Sequence, residues 1–315
     1  MALNDYSNNG SANAIPTPDE IYHRGGLSRF LERHGFHLSR ALGQHFLISR
    51  KTLRTMLDTA DLPKDGAIIE IGPGVGHLTW QLLERGLSVV AIEKDNKFSE
   101  LLQTFARRIP QTNEGSSPAL TVIHEDALEM DFARLAETCK VDQVIGNLPY
   151  NVSVPILFRL AYCAFRFRKI CVLLQKEVGE RIWATPGGKS YGRLSIVLKY
   201  LYHVRKLHTV YPDVFFPRPK VESVFIEMAM KPEADIPFAQ TFLERVVRIG
   251  FLHRRKKMRK QFLGAIVERR ILDAAFMENA EREFNFDQRA EEWDVETWVR
   301  FGQFVQQAKI GSIDS

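Results

Sequence analysis

The sequence has little cysteine and no pattern that would use it. Cys139, Cys163 and Cys171 form no C-x-x-C pair and leave one over. That excludes a disulfide framework and a cysteine zinc site, and it fits a reducing, cytoplasmic setting. The nine histidines contain no H-E-x-x-H spacing, so a zinc hydrolase has no support and no metal ligand is expected. No run of about 18 or more apolar residues occurs, which excludes a transmembrane helix. Internal repeats and sustained heptads are also missing, so solenoids and long coiled coils drop out.

What remains is an ordinary globular composition. The chain has 315 residues, 45% of them hydrophobic and 26% charged, enough for one large domain and a smaller one. The formal net charge of +5 mildly favours an anionic partner. Residues 1–18 are rich in Asn, Ser, Ala and Pro and read as disordered. A transit peptide is the rival reading, opposed by Asp5, Asp19 and Glu20. Glu20 to His37 reads as a short basic helix with no assignable role.

From there strands and helices alternate. Leu53, Met56, Leu57 and Ala60 recur at helical spacing, and Ala67 to Ile71 is an apolar strand. Leu78, Leu82 and Leu83 mark a helix that ends near Gly86. Ser88 to Ile92 is a second strand, Phe98 to Ile109 a helix, Gln111 to Pro118 a polar loop and Leu120 to His124 a third strand. Val141 to Ile145 is a fourth, followed by a helix through Ile156, Leu157 and Leu160, and Lys169 to Leu174 is a fifth. Short apolar strands separated by helices indicate an α/β fold with a doubly wound, mostly parallel sheet. Leu198 to Val210 and Val221 to Met230 read as two further strands closing it antiparallel. Beyond Pro232 the pattern turns helical in a charged background. The expected division is therefore an extension at 1–38, a catalytic domain at 39–230 and a helical domain at 231–315.

The strand ends carry the chemistry. Gly72-x-Gly74-x-Gly76 lies after the first strand and before a helix, where glycines let the backbone approach a nucleotide. Alone this is a weak signal, shared with ordinary turns. Its G-x-G-x-G spacing points away from a dinucleotide and toward S-adenosylmethionine. Glu93, ending the second strand, stands where an acid holds ribose hydroxyls. Asp126, ending the third, suits the cofactor's adenine amine, and equally suits a helix N-cap before Ala127. Glu70, inside the first strand, is either an acceptor near the glycine loop or a satisfied structural carboxylate.

The fourth strand runs into Ile145-Gly146-Asn147-Leu148-Pro149-Tyr150-Asn151. The Asn147 side-chain oxygen and the Leu148 carbonyl can accept hydrogen bonds, Pro149 stiffens the turn and Tyr150 offers a stacking face. Together they suit a flat base whose exocyclic amine must become nucleophilic. Asn147 cannot act as a base, so it positions the amine.

These residues, in this order, resemble the ribosomal RNA adenine dimethyltransferases. The likeness runs from Leu42-Gly43-Gln44-His45-Phe46-Leu47 to the C-terminal helices. It includes Leu174-Gln175-Lys176-Glu177-Val178, Tyr191-Gly192-Arg193-Leu194-Ser195 and Phe215-Phe216-Pro217-Arg218-Pro219-Lys220-Val221-Glu222-Ser223. The resemblance implies a Rossmann-like, seven-stranded catalytic domain with a small helical domain. His45, Leu47, Gly72, Glu93, Asp126 and Asn147, with Gly74 of the glycine turn, are then the set that holds S-adenosylmethionine and its product S-adenosylhomocysteine. Asn147, Leu148, Tyr150 and Phe215 surround the target adenine. Position 45 is Asn in many members; His can donate a hydrogen bond as well.

The implied substrate is a pair of adjacent adenosines in a hairpin loop near the 3′ end of small-subunit rRNA, dimethylated at N6. The implied partner is the small ribosomal subunit, and a monomer is the simplest expectation. Phe251-Leu252-His253-Arg254-Arg255-Lys256-Lys257-Met258-Arg259-Lys260 and Arg289-Ala290-Glu291-Glu292 favour the small-subunit branch over relatives acting on large-subunit rRNA. In the first of these, Arg254, Arg255, Lys256, Lys257, Arg259 and Lys260 are the expected phosphate contacts, on a helix whose buried stripe is Leu252, Met258 and Phe262. A solvated helical face is the plain alternative, as a core pair is for Phe215 and Phe216. A DNA adenine methyltransferase and a non-catalytic assembly factor are the competing functions.

Overall fold

The computed structural model describes residues 18–36, 38, 43–109, 118–269 and 274–308. The expectations for 1–17 and for the loop at 111–117 lie outside the described residues. By its packing the chain divides into two compact units, one of residues 1–176 and 205–228, the other of 177–204 and 229–315. Residues 177–204 thus group with the C-terminal helices instead of with the rest of the segment 39–230.

The first unit begins with two helices, α1 (Pro18–Ile21) and α2 (Arg24–Arg33). A short strand β1 (Phe46–Leu47) and helix α3 (Arg50–Thr59) follow, α3 opening on a Ser49 cap whose hydroxyl accepts from the Thr52 amide. Then come β2 (Ala67–Ile71), α4 (His77–Glu84), β3 (Ser88–Glu93), α5 (Asn96–Ala106), β4 (Leu120–His124), α6 (Phe132–Cys139), β5 (Gln143–Asn147), α7 (Ser153–Tyr162) and β6 (Lys169–Gln175). Asp95 and Asp131 cap α5 and α6 with their carboxylates. After α8 (Lys176–Trp183) and α9 (Arg193–Leu201), the strands β7 (Tyr202–Val210), β8 (Phe215–Phe216) and β9 (Ser223–Met230) complete the sheets.

Seven strands form the main sheet in the order β4-β3-β2-β5-β6-β9-β7, and β1 and β8 form a separate antiparallel ribbon. The pairs β4-β3, β3-β2, β2-β5 and β5-β6 are parallel. The order reverses between β2 and β5. A crevice for a ligand opens there, at the carboxyl ends of the strands. Strand interiors are apolar on both faces: Ile68, Ile69, Val89, Ala91, Val144, Ile145, Cys171, Val172 and Leu173 are buried.

Two expectations shift. The fourth strand spans Gln143–Asn147, two residues later than expected, so Asn147 is its last residue and pairs in register with Leu173. The stretch from Leu198 is not all strand: it stays in α9 through Leu201, and the strand begins at Tyr202. The run Ile196 to Leu201 is apolar on nearly every side, and periodicity alone does not separate a buried helix from a buried strand. The helix start, where Ser195 Oγ accepts from the Gly192 amide at 3.2 Å, decides it.

In the second unit, α10 (Gln240–Gly250), α11 (Met258–Arg269), α12 (Ala274–Glu283) and α13 (Val295–Gln307) surround an aromatic core. Trp293, Trp298, Phe262, Phe286 and Phe301 are all buried and mostly meet edge to face. Gly250 lets Trp298 approach, since a Cβ there would come within 2.4 Å of its ring. Among the described residues, no helix is long and apolar enough to cross a membrane.

Candidate active site

One cleft at the reversal point brings together most of the residues expected there. It is lined by His45, Gly72, Gly74, Glu93, Asp126, Asn147, Leu148 and Tyr150, together with Phe46, Lys94 and Pro149. Four strands deliver the central ones. Gly72 and Gly74 follow β2, Glu93 ends β3, Asp126 follows β4 and Asn147 ends β5.

The glycine turn has left-handed backbone at Gly72, Gly74 and Gly76, with φ of +70°, +58° and +91°. Only glycine adopts such angles without strain. A side chain at Gly72 would project toward Pro149 and Asn147 across the cleft, and one at Gly74 would meet the Phe46 ring at 2.5 Å. Glu93 ties the turn to the next strand: the Gly74 amide donates to one carboxylate oxygen at 2.9 Å and the Asp95 amide to the other at 2.8 Å. Burial nevertheless raises the Glu93 pKa above the usual carboxylate range.

Glu70 takes the structural role. It is 1% exposed and accepts the Thr79 hydroxyl at 2.7 Å, which anchors the first turn of α4. Burial pushes its carboxyl up to about 8. Asp126 does two jobs in this structure. Its Oδ1 accepts the Leu128 amide at 2.9 Å, which closes a turn at 127–129 and caps no helix, since the next one starts at Phe132, and its Oδ2 pairs with Lys94 at 2.6 Å. Burial pushes its pKa up, but the hydrogen bonds from Lys94 and Leu128 outweigh that and hold it below the usual range. Lys94 carries no sequence signal beyond its place directly after Glu93.

The Asn147 side of the cleft is wired through the backbone. Asn147 Nδ2 donates to the His45 carbonyl at 2.8 Å, and the His45 ring bonds through Nδ1 to the Pro217 carbonyl at 2.8 Å. His45 also packs against Tyr150 with ring centroids 5.1 Å apart, and the Tyr150 hydroxyl meets Ser223 Oγ at 2.5 Å. Burial raises the Tyr150 pKa, so the phenol stays neutral. Gly146 has no room for a side chain, since a Cβ would lie 2.6 Å from the Ile71 carbonyl oxygen. That close approach brings the Asn147 turn against the glycine turn.

Two expected residues are elsewhere. Phe215 is fully buried in the core, its backbone paired with Leu47 in the β1-β8 ribbon. It presents no face to the cleft, and the plain reading of a core aromatic holds for it. Leu47, 2% exposed, also packs into the core, and its neighbour Phe46 lines the cleft instead. Side chains alternate along a strand, so only one of two adjacent residues can face the ligand.

The basic run is not one helix. Residues 251–256 form turns between α10 and α11, and α11 starts only at Met258. Met258 and Phe262 are buried, as expected, but Leu252 is 52% exposed. Arg254 is engaged by Glu291 at 2.6 Å and by the carbonyls of Lys189 and Tyr191. Lys257 pairs with Asp287 at 3.3 Å and Arg259 with Glu281 at 2.9 Å. Arg255, Lys256 and Lys260 are exposed and have no such partner among the described residues.

Similarity to known proteins decides the family. The ribosomal RNA adenine dimethylase family matches residues 35–301. The chain belongs to that family. It is 36% identical over 250 residues to the ribosomal RNA small subunit methyltransferase A of Clostridium perfringens, covering 79% of this chain and 85% of the relative. It is 38% identical over 234 residues to the protein of the same name in Bacillus mycoides, covering 72% and 77%. In fold it is similar to a dimethyladenosine transferase from Plasmodium falciparum, with a TM-score of 0.66 at 23% identity over 84% of this chain and 97% of that one. The Rossmann-like methyltransferase fold, the dependence on S-adenosylmethionine and the enzymatic class therefore stand as the sequence resemblance implied. The cleft suits that cofactor: a glycine turn that a side chain would fill, an acid at the end of β3 and another after β4.

Proposed function

We propose that this enzyme dimethylates N6 of two adjacent adenosines in a hairpin loop near the 3′ end of small-subunit rRNA, and that it acts in small-subunit biogenesis as a cytoplasmic monomer. The observation that carries the chemistry is the orientation of Asn147. Its amide nitrogen is committed to the His45 carbonyl, which leaves Oδ1 as the acceptor, and Leu148 lines the same cleft.

Asn147 Oδ1 and the Leu148 carbonyl suit the two N–H bonds of an adenine amine. Binding both hydrogens draws the nitrogen lone pair out of conjugation with the ring and leaves it free to attack. Tyr150, fixed by Ser223, supplies the stacking face for the base. Splaying the base from its loop costs a few kcal/mol, and one stacked face returns about 1–3 kcal/mol. S-Adenosylmethionine, held by Gly72, Gly74, Glu93 and Asp126, supplies the electrophilic methyl group. Holding donor and amine in line accounts for much of the acceleration. Asn147 has no basic site at neutral pH, so the amine proton leaves to solvent after transfer. We assign phosphate contact to Arg255, Lys256 and Lys260 of the helical region 231–315, with Lys257 and Arg259 able to exchange their intramolecular partners for phosphate.

The test is transfer of labelled methyl from S-adenosylmethionine to small ribosomal subunits that lack the modification. Label should appear in the two loop adenosines. Label in large-subunit rRNA or in DNA, with none in small subunits, would overturn the assignment.

A further inference from the structure

We infer that residues 21–36, to which no sequence motif gives a role, form a clasp that positions the cofactor-binding wall, with Tyr22, Phe36 and His77 as its positioning residues. The inference rests on the reading that this cleft holds S-adenosylmethionine.

One end of the clasp is a reciprocal lock between α1 and α4. The His77 ring bonds through Nε2 to the Ile21 carbonyl at 2.8 Å, and the Tyr22 hydroxyl donates to the His77 carbonyl at 2.6 Å. His77 is the first residue of α4, directly after the glycine turn. Burial pushes its pKa down to about 4, so the neutral ring carries its proton on Nε2, where Ile21 accepts it. Arg50 lies 5.6 Å over the Tyr22 ring, and Gln81 donates to the Tyr22 hydroxyl at 3.4 Å. Gly26 makes the tight return from α1 to α2 possible, because a Cβ there would stand 2.4 Å from the Glu20 carbonyl oxygen.

The other end grips α5, which begins just after Glu93. Phe36 stacks on Phe98 with centroids 5.1 Å apart and planes 7° from parallel, and Lys97 Nζ donates to the Gly35 carbonyl at 2.7 Å. Between the two ends, Arg24 reaches the Asp213 and Phe215 carbonyls at 3.3 and 3.4 Å.

Both ends converge on Phe46. Its ring lies 5.9 Å from His77 and 5.5 Å from Phe98. The same ring covers Gly74, whose amide holds Glu93. A continuous run of contacts thus links the N-terminal helices to the carboxylate that faces the ribose. Loosening either end lets Phe46 move off Gly74 and releases the turn that Glu93 needs. A purely stabilising segment would have no reason to meet the cleft at this one ring from both sides.

The experiment is calorimetric titration of the full chain with S-adenosylhomocysteine, alongside melting curves with and without that ligand. Tyr22→Phe and His77→Phe each remove one hydrogen bond of the lock, and each should raise the Kd about fivefold. His77→Gln, which keeps an N–H at similar reach, should restore most of the affinity. Lys97→Met loosens the far end alone and should act in the same direction, while Arg29→Ala on the exposed face of α2 should change nothing. A fall in melting temperature with the Kd and the ligand-induced rise in melting temperature both unaltered would make the clasp a stabilising element only and overturn the inference. If His77→Phe does not fold, Tyr22→Phe and Lys97→Met carry the same comparison. A native chain that binds no S-adenosylhomocysteine would overturn the cofactor reading, and the inference with it.

Discussion

Asn147 and the His45 main chain are joined by a single 2.8 Å hydrogen bond from Nδ2 to the carbonyl oxygen. A carbonyl can only accept, so the bond sets which end of the amide is which. Nitrogen points to His45, just before β1, and oxygen is left as the acceptor of a residue that lines the cleft. Asn147→Asp replaces the donor with a second acceptor, and the carboxylate turns away from His45 or takes up a proton. Turnover should fall by about 10²–10³-fold, the usual cost of losing one preorganised hydrogen-bonding group. Single-turnover methyl transfer checks it; a rate within about tenfold of native would remove Asn147 from the amine-binding role.

Tyr150 offers a second test, because its ring and its hydroxyl do different things. Tyr150 lines the cleft with its ring packed against His45, and the hydroxyl is held by Ser223 Oγ. Tyr150→Ala should slow single-turnover transfer by about 10- to 100-fold, matching the loss of about 1–3 kcal/mol of stacking, while leaving the S-adenosylhomocysteine Kd within about twofold. Tyr150→Phe keeps the stacking face and should stay much closer to native. Equal effects from the two variants would assign the work to the hydroxyl.

Glu93 accepts two backbone amides, and the ribose hydroxyls of a bound cofactor would share its remaining lone pairs. Glu93→Ala removes the tie to Gly74 as well as the ribose partner. Charge-assisted hydrogen bonds of this kind are worth about 1.5–3 kcal/mol, so the Kd for S-adenosylhomocysteine should rise at least about tenfold. RNA affinity should not follow. A parallel loss of both, measured by calorimetry and by filter binding, would indicate general unfolding.

Glu70 makes a pH prediction. Its folded pKa of about 8 lies above the ordinary 4.5 because burial disfavours the charge. Below pH 4.5 both folded and unfolded chains hold the proton. As pH rises from there to about 8, the unfolded chain releases a proton that the fold retains, so stability is lost through that window and levels off above it. Glu70→Gln has no such proton and still accepts from Thr79. Its melting temperature relative to native should therefore climb between about pH 5 and 8. Parallel curves for the two proteins would show that Glu70 is not protonated in the fold.

Much of this was legible in the sequence because the informative residues end strands. Parallel strands carry their ligand-facing groups at the carboxyl end, so Gly72, Glu93, Asp126 and Asn147 are readable wherever an apolar run stops. Residues that depend on which way a side chain turns were not readable. Phe215 and Phe216 differ by one position, and the β1-β8 register decides that Phe215 enters the core. The same register trades Leu47 for Phe46 at the cleft. The role of Tyr22 needed a partner 55 residues away in sequence, which no local pattern encodes. Arg254 read as one of several equivalent cations until Glu291 and two carbonyls claimed it.

That last difference separates binding from stability within one basic stretch. Arg255, Lys256 and Lys260 are exposed and unengaged among the described residues, so a phosphate can reach them without breaking anything. Arg254 would first have to give up Glu291 and the carbonyls of Lys189 and Tyr191. Each cation withdrawn from a phosphate flattens the dependence of log affinity on log salt by about 0.7–0.9. Replacing Arg255, Lys256 and Lys260 together by Ala should therefore lower that slope by about two to three, uniformly across RNA sequences, with little change in melting temperature. Arg254→Ala should do the reverse, lowering the melting temperature while changing the slope by less than about one. Binding of an rRNA fragment across a salt series, paired with melting curves, checks both. A slope that drops equally for Arg254→Ala would mean that this guanidinium leaves its intramolecular partners when RNA binds.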